Sequence, residues 1–216
     1  MKKILLRFTG LIVSLVALFL VFPELLFDSA WGQRFYLWTD GAQAANFSFK
    51  DGEVSGDTVF MNGDIYKGTL TDMEELLKAH PEITTLVMNY VPGSIDDEAN
   101  LLASREIRKN KINTYVPEGG MIASGGTDMF LAGVKRNAHE TAKIGVHSWG
   151  GGDKMATEYP REDEVHEIYL DYYEEMSIPL EFYWYTLEAA SADSIHWMTV
   201  EEIKKYQVTN NDENER

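Results

Sequence analysis

Residues 119–133 read Gly-Gly-Met-Ile-Ala-Ser-Gly-Gly-Thr-Asp-Met-Phe-Leu-Ala-Gly, a short apolar run that breaks at Ser124 and resumes with helical character. Glycine pairs stand on both sides of Met121–Ser124. This punctuation predicts a strand that ends in a tight turn and leads into a helix over Thr127–Ala132. A serine at such a junction has two uses. Its hydroxyl can cap the helix, or it can stand open as a nucleophile with the N–H of Gly125 facing the carbonyl oxygen under attack.

The flanking chain alternates between strand and helix. Val59–Met61 and Ile83–Asn89 are β-branched or apolar runs, and Thr71–His80 between them carries Met73, Leu76 and Leu77 at helical spacing. Asp96–Lys109 repeats the pattern with Ala99, Leu102, Ala103, Glu106 and Ile107, and Ile112–Val116 returns to strand. A βαβαβ rhythm implies a parallel sheet covered by helices, with functional groups in the loops beyond the strand ends.

Two further segments fall at such ends. Val91-Pro92-Gly93-Ser94 follows the strand through Asn89, and its glycine permits a sharp turn with N–H groups facing a cavity, as an oxyanion hole requires. Pro-Gly is equally a common turn signal. Ile144-Gly145-Val146-His147-Ser148 ends an apolar strand in a histidine, which is placed to act as general base if it meets Ser124 in space. His80, His139, His166 and His196 have no metal-ligand spacing, so neither a catalytic metal nor another cofactor is expected.

The order of these segments resembles the proteolytic subunit of the Clp protease (ClpP) and, more closely, exported or membrane-associated ClpP-like proteins within the ClpP/crotonase fold. That family has a Ser-Pro-Gly-Gly turn after a strand, then a helix and a strand. A nucleophile follows in an Ala-Ser-small context that opens a helix ending in Ala-Gly, and a later strand ends in the base histidine. Here the matching residues are Val91-Pro92-Gly93-Ser94, Ala123-Ser124-Gly125, Ala132-Gly133 and His147. The likeness runs from about Val59 to Thr209, with Trp197–Ile203 and Tyr206–Val208 in place of the closing helix and strand.

What the resemblance implies is an α/β domain with a parallel sheet built from ββα units, and a serine protease. Ser124 would be its nucleophile, His147 its base, and the N–H groups of Ser94 and Gly125 its oxyanion donors. Asp193 is the carboxylate near the family's third position, although the matching place falls on Ile195; an aspartate that merely caps the next turn is the alternative. Lys135 and Lys143 are the candidates for the lysine base used in the signal peptide peptidase branch, and both sit among polar neighbours. Acyl-CoA chemistry of the crotonase branch calls for no serine–histidine pair. Family members assemble into rings or trimers, so a homo-oligomer is expected, and the substrate is a peptide or protein. An inactive ClpP-like domain that binds a partner as a scaffold is the rival.

At the N-terminus, Lys2, Lys3 and Arg7 precede an apolar run from Phe8 to Phe27. About 20 residues suffice to cross a bilayer as a helix, and positive charges before them keep that end in the cytoplasm. The segment over residues 1–28 therefore reads as a single-pass transmembrane signal anchor, with the soluble part in the periplasm or outside the cell. A cleaved signal peptide is the alternative, with Ala42-Gln43-Ala44 as its site. Residues 29–46 read as a linker, 47–210 as the α/β domain and 211–216 as a disordered polar tail.

Composition narrows the partners. The chain of 216 residues has 44% hydrophobic residues and 25% charged ones, with a formal net charge of −16. That balance is globular, and its sign opposes binding to a phosphate backbone, which excludes nucleic acid as the expected partner. With no cysteine there is neither a disulfide nor a thiolate nucleophile. Glu162–Ser177 and Glu181–Ala190 read as two helices, and the aromatics Phe182, Tyr183, Trp184 and Tyr185 of the second suit core or interface more than substrate contact.

Overall fold

The computed structural model describes residues 27–50, 56–151 and 154–210. The apolar run, up to residue 26, and the tail 211–216 lie outside the described residues. Among the described residues, no helix is long and apolar enough to cross a membrane.

A mostly parallel sheet organises the chain. β2 (Thr58–Asn62), β3 (Thr85–Val91), β4 (Asn113–Val116), β5 (Met121–Ala123), β6 (Arg136–Ala138) and β7 (Lys143–Val146) pair in parallel, while β1 (Asn46–Ser48) and β10 (His196–Trp197) close two edges antiparallel. β3 is the branch point. Its first half pairs with β4, through Leu86 opposite Thr114, and its last residues pair with β5, through Val91 opposite Ile122. From there β4 leads to β6 and β5 leads to β7. A small hairpin of β8 (Gly150–Gly151) and β9 (Lys154–Met155) stands apart.

Helices cover the sheet. α1 (Ala30–Thr39), α2 (Gly68–Ala79), α3 (Asp97–Lys109), α4 (Gly125–Leu131), α5 (Glu167–Glu175), α6 (Leu180–Ala189) and α7 (Val200–Lys205) follow in order. Leu86, Val87 and Met88 are buried in succession on β3, which is what a strand covered on both faces demands. α3 starts where its sequence says it should: Asp96 Oδ1 accepts from Ala99 N–H at 3.0 Å, acids Asp97 and Glu98 fill the first turn, and Arg108 and Lys109 the last. Both charge placements complement the helix dipole. α4 lies very close to β3, because a Cβ on Gly126 would run into the Val91 carbonyl.

Two segments depart from the sequence reading. The supposed linker 29–46 contains α1, whose Leu37 is buried, and Ala44 bridges to Asp64 before β1 begins. Hydrophobic packing of Leu37 and Ala45 ties this stretch to the core cluster. Tyr206–Val208 is not a strand. Gln207 takes φ of +54°, so the chain doubles back and offers the carbonyls of Gln207 and Val208 to the Arg136 guanidinium at 3.0 and 2.9 Å. The interior arginine, rather than a sheet edge, satisfies that backbone.

Replacing Gly126 by Ala forces α4 away from β3, which is expected to cost about 1–3 kcal/mol, as overpacking does. Thermal melts of Gly126→Ala should show a Tm lower by roughly 2–12 °C.

Candidate active site

Strand register brings the three segments together. With Val91 opposite Ile122 and Ala123 opposite Gly145, the residues that follow β3, β5 and β7 emerge side by side at the carboxyl edge of the sheet. They are Pro92–Ser94, Ser124 and His147.

Ser124 precedes α4 without capping it, since its hydroxyl makes no cap hydrogen bond. Its backbone lies at φ +53° and ψ −130°, a conformation that disfavours any residue with a Cβ. The N–H donates to the Gly145 carbonyl at 3.1 Å, and the Ser124 carbonyl accepts from the N–H groups of Thr127 and Asp128. A Cβ placed on Gly93 would stand 3.6 Å from Ser124 Cβ and 3.9 Å from its Oγ. The turn after β3 thus borders the hydroxyl.

Ser94 and Gly125 face each other. A Cβ on Gly125 would lie 2.5 Å from Ser94 Cβ and 3.2 Å from Ser94 N, so only glycine lets the two backbones approach this closely. The Ser94 Oγ accepts from the Asp96 N–H at 3.0 Å. Among the described residues, the non-glycine residues with positive φ are Lys111, Ser124, Ser177 and Gln207, so the serine at position 94 bears no left-handed strain. The loop is further fixed by Ile65 N–H to Gly93 O and Ile95 N–H to Ile65 O, both 2.9 Å. Among the described residues, neither the Ser94 nor the Gly125 N–H has an acceptor.

His147 and Ser124 line one cavity of about 50 Å³. They are not hydrogen-bonded to each other, and the buried Nδ1 of His147 has no partner among the described residues. Asp193 is not brought to it. That carboxylate is exposed and accepts from the Ser191 hydroxyl at 2.5 Å within its own turn. Lys135 and Lys143 are exposed. Lys143 opens β7 at the far end of the strand with its Nζ over the Trp197 ring, and neither lysine lines the cavity.

Sequence reading passed over Asp128. It lies one helical turn beyond Ser124 and lines the same cavity, where its Oδ1 accepts from the Tyr173 hydroxyl at 2.6 Å. Burial pushes this carboxyl up to about 7; the Tyr173 hydrogen bond pulls the other way, and the nearby Asp97 charge adds to the rise. Asp97 itself accepts from the Tyr169 hydroxyl at 2.7 Å. The legible signal was an acid inside the apolar run Met121–Leu131. Tyr183 completes the wall, taking a hydrogen bond from Trp149 Nε1 at 3.0 Å and lying 2.6 Å from His166 Nδ1. Part of the aromatic cluster is therefore core, as Phe182 is, and part borders the cavity.

Neither a family model nor a curated protein matches the chain. Among solved structures it is similar to a mutant of the membrane-bound stomatin-specific protease 1510-N in complex with a substrate peptide, at 15% identity and a TM-score of 0.49 over 73% of this chain and 75% of that one. A second mutant of that protease gives 14% identity and a TM-score of 0.49 over 73% and 80% of the two chains. At such distance the reading of the site rests on this chain's own geometry.

A carboxyl whose folded pKa lies above its ordinary 3.8 binds its proton more tightly in the native state. Its contribution to stability is complete below about 3.8 and is lost as pH rises to about 7. Asp128→Asn keeps an acceptor for Tyr173 and removes this loss. Differential scanning fluorimetry should find the variant's Tm, relative to the wild type, rising between pH 5 and pH 8.

Proposed function

We propose that the chain is a ClpP-like serine peptidase in which Ser124 is the nucleophile and His147 the general base. The observation that carries this reading is the backbone of Ser124. A non-glycine residue held at positive φ, at a strand-to-helix turn, with a hydroxyl that caps nothing, is strain that the cap role leaves without a purpose. In support, Ser124 shares its cavity with His147 and adjoins two N–H groups without acceptors, those of Ser94 and Gly125. In the reaction, His147 takes the Ser124 proton as Oγ attacks a peptide carbonyl, and returns it to the departing amine. The Ser94 and Gly125 N–H groups receive the developing oxyanion, where a single donor is worth about 3 kcal/mol of barrier. With Asp193 occupied by its own turn, the site works as a dyad.

The proposed anchor is the apolar run Phe8–Phe27, with the domain on the exported side. Its support lies in the basic start of the chain and in α1, which exposes Tyr36 and Trp38 just after that run. Aromatic residues of this kind favour the membrane–water boundary.

A second reading, a catalytically inactive domain that binds peptides as a scaffold, draws on one observation: no hydrogen bond joins Ser124 to His147. Unliganded sites often hold such pairs apart until substrate arrives. A fluorophosphonate probe separates the two. The peptidase reading expects covalent labelling of the wild type, none in Ser124→Ala, and labelling slowed by about 10²–10⁴-fold in His147→Ala. A folded wild type that stays unlabelled between pH 6 and pH 9 favours the scaffold.

A further inference from the structure

Among the described residues, Arg136 and Arg108 are matched inside the fold by backbone carbonyls, and the acid on the cavity wall has no comparable match. The Arg136 guanidinium reaches the carbonyls of Val208, Gln207 and Gly133, and Arg108 reaches those of Leu131 and Met176. Asp128 has only the Tyr173 hydroxyl on Oδ1. Among the described residues no lysine or arginine lies within ion-pair distance of it or of Asp97. A half-buried carboxylate with no counter-ion is unfavourable, and this one opens into the cavity that also holds Ser124 and His147.

The surroundings supply the rest of a binding site. Tyr169 and Tyr183 stack at 5.6 Å between ring centroids, and Trp149 stacks on Tyr169 at 6.1 Å. Together with Tyr173 they make an aromatic wall, suited to an aliphatic stem and to the cation at its tip. Asp128 lies four residues past Ser124, about 6 Å along a helix axis, which is within the span of a lysine or arginine side chain. A cavity of about 50 Å³ holds several times the volume one water needs, which leaves room for the tip of an extended side chain.

We propose that this cavity receives the lysine or arginine side chain of the residue whose carbonyl Ser124 attacks, with Asp128 as its counter-ion. The inference rests on the peptidase reading and names its substrate class: peptides cut after a basic residue. The net charge of −16 assists by drawing cationic peptides to the surface.

The test uses the purified full chain and two peptidyl diphenyl phosphonates that differ only at the terminal residue, one lysine-like and one norleucine-like. A fluorophosphonate without a side chain reports separately on the nucleophile. The lysine probe should inactivate the wild type about tenfold or more faster than the norleucine probe, the scale of a hydrogen bond to a charged group. In Asp128→Asn, shown by its melting curve to be folded, the ratio should fall toward one. Fluorophosphonate labelling with equal rates for the two phosphonates, a faster norleucine probe, or a preference that survives Asp128→Asn would overturn the proposal and leave the peptidase reading standing. If Asp128→Asn does not fold, the wild-type ratio alone decides. No fluorophosphonate labelling removes the reaction, and this specificity with it.

Discussion

Ser124 keeps its left-handed backbone only because the chain on either side of it is tied down. Its N–H is held by the Gly145 carbonyl, which also accepts from the Thr127 hydroxyl at 2.8 Å, and the Gly125 carbonyl accepts from Asn100 Nδ2 at 3.0 Å. Gly126 lies against Val91 with no room for a side chain. Strain of this kind costs about 1–3 kcal/mol and persists where the surroundings over-determine it. Here strands β3 and β7 and helix α3 each contribute one restraint, so relaxation at Ser124 would require all three elements to shift.

The branched sheet explains why the restraints meet at one point. β3 pairs with β4 early and with β5 late, and that change of partner brings the loop after Val91 alongside the turn after Ala123. The loop's N–H groups are left over because Ile65 already satisfies its neighbours on both sides, through Gly93 O and Ile95 N–H. Behind the turn, α5 and α6 bring their tyrosines to the cavity. Tyr172 donates to the Asp128 carbonyl and Tyr173 to its carboxylate, both at 2.6 Å. The same contacts fix α4 against α5 and orient the acid.

Much of this was legible in the sequence, and the parts that were not have physical reasons. Strand and helix periods located the βαβαβ core, and glycines beside Ser94 and Ser124 and within three residues of His147 marked the turns, because those are local signals. The meeting of three loops depended on register, which periodicity leaves open. Asp193 and Ile195 illustrate a limit: a carboxylate two residues from an expected place was available, yet a nearby serine hydroxyl claimed it. Tyr206–Val208 had strand-like composition, but the positive φ at Gln207 turns the chain so that its carbonyls meet the Arg136 guanidinium, a partner 71 residues from Gln207 in sequence. α1 was hidden by its polar and aromatic mixture, with an apolar face too narrow to register as periodic. Asp128 was visible as an acid in an apolar run, and its significance appeared only when Tyr173 and the cavity were seen beside it.

The central claim is that the turn at Ser124 aims its hydroxyl and two backbone amides at a single reacting centre. A crystal structure of the chain after reaction with a fluorophosphonate tests it directly. The account predicts phosphorus bonded to Ser124 Oγ, with the phosphoryl oxygen within hydrogen-bonding distance of both Ser94 N and Gly125 N and the His147 ring beside Oγ. An adduct on another residue, or a phosphoryl oxygen pointing away from those two amides, would contradict it.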